Sequence, residues 1–484
     1  MTRPRRLWLC VALALSCSKD GGSSEGEESS TGTSGIDPTN ADDGPKLDLP
    51  GGDSEGGGCD IDAGCSSRVD LLFVIDNSGS MSEEQLNLAL NMPSLVQALD
   101  GLLDADGNPL NPDVNIMVTT TDMGNPLCDP YYKPDRAPEL GAPIATPCTD
   151  RIDRFTGIGM DPVVAESACT DVCPNPVAPD DDFINFHLDA SNVPAADPID
   201  VNGDGVDDNN VAQALACIGP QGIDGCGYES QLESMRRALD PDAEWNGGST
   251  PFLRDGGLLA VAIITDEVEC SLADESVMED PAFLETHPET MVEVPSSAIC
   301  WNAGVTCDGP DANGVYSDCR SSGDGLIAVQ EYVDFLEGQS RPVVMLGIIG
   351  VPIVTERNPD PPYQPLAGGI DELVYRTWKD PEYPAGDILP DDWADGVTAA
   401  HQEWQFGIGP GCTGEDGSGG FTGQATPPTR IIEVCQALDV DDDPATPEDE
   451  AQIRCCIESI CDTSFANALR CLTGLVAENT IPQG

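Results

Sequence analysis

The sequence predicts an α/β fold built on a mostly parallel sheet with long disulfide-rich insertions. Three observations carry that expectation. Four short apolar runs, at 69–75, 114–119, 258–265 and 343–349, lack the polar alternation of half-exposed strands and suit strands buried on both faces. They are spread over most of a 484-residue chain, too few for three domains and spaced for one elaborated domain. The segments between them are rich in Pro, Asp and Cys, the composition of stapled loops.

In chain order, residues 1–16 place Arg3, Arg5 and Arg6 before an apolar run, the layout of a secretory signal peptide whose core is too short to span a membrane. The "ALSC" that ends it resembles a bacterial lipobox and makes Cys17 the expected lipidation site, while Ala14 and Ser16 also suit ordinary signal peptidase. Of 20 cysteines, Cys10 leaves with the signal and Cys17 takes lipid, so an even 18 remain to pair. With no Cys-x-x-Cys pair and 3 histidines, zinc ribbons and thioredoxin-like sites find no support. Residues 17–65 are Gly, Ser and acid, a flexible lipid-anchored tether. Within it, Gly52 to Gly56 spell a nucleophile elbow, but no strand precedes them and no helix follows. One domain then covers 66–484, with insertions at about 123–225 and 360–423.

The first strand unit reads "LLFVIDNSGSMSEEQ". Ser80 with Glu83, and Ser82 with Gln85, have capping-box spacing, so the expectation is strand, loop, helix. Ligands of open parallel sheets bind outside the carboxyl ends of the strands, which is where Asp76, Ser78 and Ser80 fall. One carboxylate and two hydroxyls are hard oxygen donors that suit Mg²⁺, Mn²⁺ or Ca²⁺. The strand at 114–119 runs into Thr121 and Asp122, which should border the same place. A second cation loop is spelled by "DVNGDGVDD", in which Asp200, Asn202, Asp204 and Asp208 stand at calcium-ligand spacing around Gly205. Val211 occupies the position where an EF-hand has a bidentate glutamate.

The segment V-I-D-N-S-G-S-M resembles the metal-ion-dependent adhesion site of von Willebrand factor type A (VWA) domains. The resemblance implies a doubly wound, Rossmann-like sheet and a second metal-associated aspartate, and Asp266 in "LLAVAIITDEVEC" takes that place. The family also uses a threonine just before a helix. Its place, near 225–229 at the start of the helix expected at 228–239, holds Cys226 and Glu229 instead, so Glu229 is the candidate substitute; Thr250 follows that helix and falls at the opposite edge of the sheet. An extra carboxylate would favour Ca²⁺ and weaken attraction for a partner's carboxylate. Other stretches, among them "CWNAGVTC", resemble cysteine-rich bacterial surface lipoproteins.

Further helices are expected at 325–336, 429–438 and 464–476, and Trp378, Trp393 and Trp404 stand either as a ligand-lining set or as loop anchors. Removing the signal leaves 18 basic against 86 acidic residues, a net charge of −68, which excludes nucleic acid as a partner. Such self-repulsion calls for screening by salt or divalent cations. His-Glu-x-x-His and Ser-His-Asp arrangements are absent and His187, His287 and His401 sit in unrelated contexts, which disfavours a metal-assisted hydrolase and any enzyme. The expected function is a binding module at the bacterial outer membrane or cell surface. It touches the membrane only through its lipid and engages an extracellular protein or polymer through a divalent cation. A metal-stabilised structural envelope protein is the alternative.

Overall fold

The structure, a computed structural model, describes residues 68–103, 109–134, 136–158, 162–323, 325–380, 386–388, 398–415, 421–439 and 452–480. The signal, the tether, Cys17, Cys59, Cys65 and Trp393 lie outside them.

The strands in chain order are β1 (Arg68–Ile75), β2 (Asp113–Thr120), β3 (Ile184–His187), β4 (Ala190–Ser191), β5 (Leu258–Ile264), β6 (Glu285–Thr286), β7 (Glu293–Val294), β8 (Val305–Asp308), β9 (Ser317–Ser321), β10 (Val343–Ile349), β11 (Glu356–Arg357), β12 (Pro365–Ala367), β13 (Cys412–Glu415), β14 (Phe421–Ala425) and β15 (Cys455–Ser459). The helices are α1 (Glu84–Asp100), α2 (Ser167–Thr170), α3 (Asn210–Ile218), α4 (Gln231–Ala238), α5 (Ala298–Gly304), α6 (Val329–Glu337), α7 (Ala399–Phe406), α8 (Thr429–Gln436) and α9 (Ala466–Thr480).

Seven strands make one sheet in the order β15-β10-β5-β1-β2-β3-β4, and the other eight form four two-stranded hairpins. From β15 to β2 every neighbour is parallel; β3 and β4 add an antiparallel edge. Alternate residues of β1 go to opposite layers. Leu71, Phe73 and Ile75 join residues of α1, α3 and α9, whereas Leu72 and Val74 join those of α4, α6 and α8. Covering on both faces explains why the four apolar runs show no alternation.

The entry to α1 departs from the expected capping boxes. Residues 79–82 form a short 3-10 turn, α1 begins only at Glu84, and no side chain caps either start. The would-be capping groups are engaged elsewhere: Ser78 and Ser80 hydroxyls bond each other at 3.0 Å, and Gln85 donates to the Asp76 carbonyl at 2.8 Å.

All sixteen described cysteines pair, in eight disulfides. The 123–225 insertion is stapled by Cys148–Cys169 and Cys173–Cys217, and Cys128–Cys226 ties its start to the segment before α4. Adjacent Cys455 and Cys456 bond to Cys435 in α8 and Cys471 in α9, one helix on each face. Trp378 and Trp404 are buried anchors and not a ligand-lining pair.

Candidate metal centre

The parallel strands deliver their carboxyl ends to one edge. Beyond Ile75, Asp76 still pairs through its N–H with the Ile264 carbonyl at 2.9 Å, so the loops after β1 and β5 leave side by side. Asp76 is fully buried. One carboxylate oxygen accepts the Ser78 N–H at 2.7 Å and the other the Thr265 hydroxyl at 2.5 Å. Ser80 lies within hydrogen-bonding reach of Asp266, whose Oδ1 is buried without a partner. Thus Asp76, Ser78 and Ser80, which share one loop, come together with Asp266 from the loop after β5, and Thr265 holds Asp76.

Glu229 reaches the same region from the segment before α4. Its Oε2 accepts the Thr121 hydroxyl and its Oε1 is unpartnered. Two further acids were not singled out by sequence: Glu84 in the first turn of α1, with an orphaned Oε2, and buried Glu267, next to Asp266. Their adjacency to Glu83 and Asp266 was visible, but only the turns that fold them back create the cluster. Asn77 is buried with neither amide atom bonded, pressed on Gly225, where a Cβ would lie 2.2 Å from Asn77 Oδ1. Glycine is required there for the roof to close.

Burial is the first cause of every pKa shift in this group. It pushes Asp76 up to about 6 against the bonds from Thr265 and Ser78. It raises Glu84, Glu229, Asp266 and Glu267 well above the usual carboxylate range. Repulsion follows: Asp266 and Glu83 on Glu84, Asp76 on Asp266, Asp76 and Glu267 on Glu229, and Asp76 and Asp266 on Glu267. The nearby arginines are committed next door, where Arg136 bridges Asp122, Glu139 and Asp224 and Arg154 joins Glu139. Tyr132 donates to Asp122 at 2.7 Å, so Asp122 braces the border and is not free to face the centre.

Among the described residues no group of three His, Cys, Asp or Glu side chains forms a ready cation cage. The donor set at Asp76 is of another kind: carboxylates bridged by serine and threonine hydroxyls, with orphaned acceptors and uncompensated negative charge. It fits a hard divalent cation. Access is narrow. Asp76, Asn77 and Ser78 are closed off, and along this segment Gly79, Ser80, Ser82, Glu83 and Glu84 reach solvent. The roof is held by Gly225 N–H to the Asn77 carbonyl at 2.9 Å, Gln85 to the Gly222 carbonyl at 3.1 Å, and Thr426 N–H to the Asp266 carbonyl at 2.9 Å.

The Asp200 loop folds back as its spelling predicts. Asp200 accepts the N–H groups of Gly203 and Gly205 at 2.7 and 3.0 Å, and Asn202 donates to Asp204. Asp208 turns inward, taking the Val201 N–H at 3.0 Å and the Gln97 amide at 3.1 Å. Thr250 lies between α4 and the start of β5.

Comparison of the chain with protein-family models, with curated proteins and with solved structures finds no match.

Proposed function

We propose that the chain is an exported, lipid-anchored binding module of VWA type that uses the Asp76 centre to engage an extracellular protein or polymer. The observation that carries this reading is the convergence of Asp76, Ser78, Ser80 and Asp266 at the carboxyl edge of a parallel sheet, among buried carboxyls that repel one another. A bound Mg²⁺, Mn²⁺ or Ca²⁺ would offer one coordination position to a partner oxygen. Asp76 and Asp266 supply charge, Ser78 and Ser80 neutral oxygens, and Thr265 orients the Asp76 carboxylate; Glu229 adds a further acid whose neighbour is Thr121. The Asp200 loop is a second Ca²⁺ candidate. Export accords with the eight disulfides, and no helix of the described residues is long and apolar enough to cross a membrane.

A second reading is favoured by the closed roof over Asp76, Asn77 and Ser78: a cation that only braces a structural envelope protein. A cell-surface pull-down with Ca²⁺, repeated with chelator, separates them. Capture of a partner that is lost with chelator while the protein stays folded supports the binding module. Metal-dependent stability with no metal-dependent capture supports the structural reading.

A further inference from the structure

Two of the chain's three histidines meet between the 285–294 hairpin and α7. His287 follows the strand β6, buried, and its ring packs edge-on against Trp404 at 4.5 Å and His401 at 5.7 Å between centroids; both partners belong to α7. His401 also contacts Trp404, at 5.1 Å. The Nδ1 of His287 accepts two backbone N–H groups, from Glu289 at 3.2 Å and Thr290 at 3.3 Å, and its N–H and C=O bond Val292 and Met291 at 2.9 Å each. One imidazole therefore organises the whole turn between β6 and β7. Beyond it the tip projects Met291, 74% exposed, and Val292.

An Nδ1 that accepts hydrogen bonds belongs to a neutral ring with its proton on Nε2. A second proton must go to Nδ1, where it would face two N–H donors. We propose that His287 and His401 form an acid-sensitive latch that holds the 285–294 hairpin against α7 at neutral pH and releases it in acid. Release unties the turn from within and uncovers Trp404, whose carbonyl accepts the Ser296 hydroxyl at 2.6 Å.

The charges facing the pair decide whether it opens. Glu289, in the turn, is the carboxylate that favours a protonated His401; burial and His287 oppose it and prevail, so His401 titrates below its ordinary 6.5. Glu285 of β6 is engaged by the Asn302 amide at 3.0 Å, and Glu403 of α7 accepts the Trp378 N–H at 3.2 Å. Glu293 of β7 is exposed. Because folding lowers the His401 pKa, the closed form is penalised from about pH 6.5 downward, increasingly until the lowered value is passed. The hairpin, held by two residue pairs and no disulfide of its own, is the element that yields.

Hydrogen exchange of the full mature chain tests the latch. With rates corrected for intrinsic pH dependence, amides of 287–292 should lose protection between pH 7.5 and 5, while β5 stays protected. His287→Asn keeps an acceptor for the turn and removes the neighbour that opposes charging of His401, and should reduce the loss. His401→Phe removes the repelling neighbour and should reduce it, which serves if the first variant does not fold. Constant protection in the wild type, or an undiminished loss in either folded variant, overturns the proposal.

Discussion

Asp76 is pulled in two directions: burial favours its acid form, and the hydroxyls and N–H around it favour the carboxylate. A cation resolves this by removing the reason to protonate. At a divalent concentration about a hundredfold above Kd, binding should stabilise the native state by ~2.7 kcal/mol. Asp76→Ala with Ser78→Ala should abolish that gain in thermal melts and remove one site in calorimetry; undiminished stoichiometry in the double variant would reduce the motif to a turn. In chelator the pH dependence has a definite sign. Asp76, Glu84, Glu229, Asp266 and Glu267 all have raised folded pKa values, so the stability linked to them is present at low pH and lost as pH rises through those values. Lowering pH from 8 to 6.5, above the histidine range, should raise Tm in chelator, and added Ca²⁺ should flatten that slope. Asp76, Ser78, Ser80 and Asp266 were legible because strand ends are readable from apolar runs. Glu84 and Glu267 were not, since their inward direction depends on a 3-10 turn and a loop path that no periodicity encodes.

At the scale of elements, α8 shows how the layers are tied. Arg430, in its first turn, is almost wholly buried. It pairs with Glu269 beyond β5 at 2.7 Å and donates to the carbonyls of Gly304, Ser322 and Ile327. One guanidinium thus joins α8, the β5 exit, the end of α5 and the approach to α6. Arg430→Ala would strand Glu269 in the interior, and chemical denaturation should show a loss of about 3–5 kcal/mol. The four long apolar strands were readable to within a residue or two, because burial on both faces forces continuous hydrophobic runs. Helix α4 begins at Gln231 and not Tyr228, since 226–230 serves as roof and takes its bonds from Thr121 and Cys270. Strand β15 was not foreseen: "CCIES" has two cysteines and a glutamate in five residues, and its strand character comes from β10 and from Arg357, which neutralises Glu458 at 2.6 Å. The 360–423 excursion, read as loop, carries α7, β12 and the β13 strand because local caps such as Thr398 and the Cys412–Cys461 bridge supply order that hydropathy does not.

For the whole molecule, negative charge dominates. Arg136, Arg151, Arg254, Arg341 and Arg430 are engaged in internal bonds and leave most of the net −65 uncompensated. Raising NaCl from about 0.01 to 0.5 M shrinks the Debye length from roughly 30 Å to under 8 Å and should increase Tm even in chelator and in the Asp76 variant, which separates screening from site binding. A flat salt response would mean that the surface acids are already compensated. The placement of β1 has a mechanical consequence. It is the strand that follows the tether, and it lies mid-sheet, paired in parallel with β2 over Arg68 to Ile75 and with β5 over Val69 to Ile75. In the proposed lipid-anchored state, tension arriving along that strand would load both ladders at once, in shear, where a pull on an edge strand would peel bonds singly. A chain so anchored would meet drag at the end where its sheet is hardest to extract, and the adjacent Cys455 and Cys456 bolt the far edge to a helix on either side.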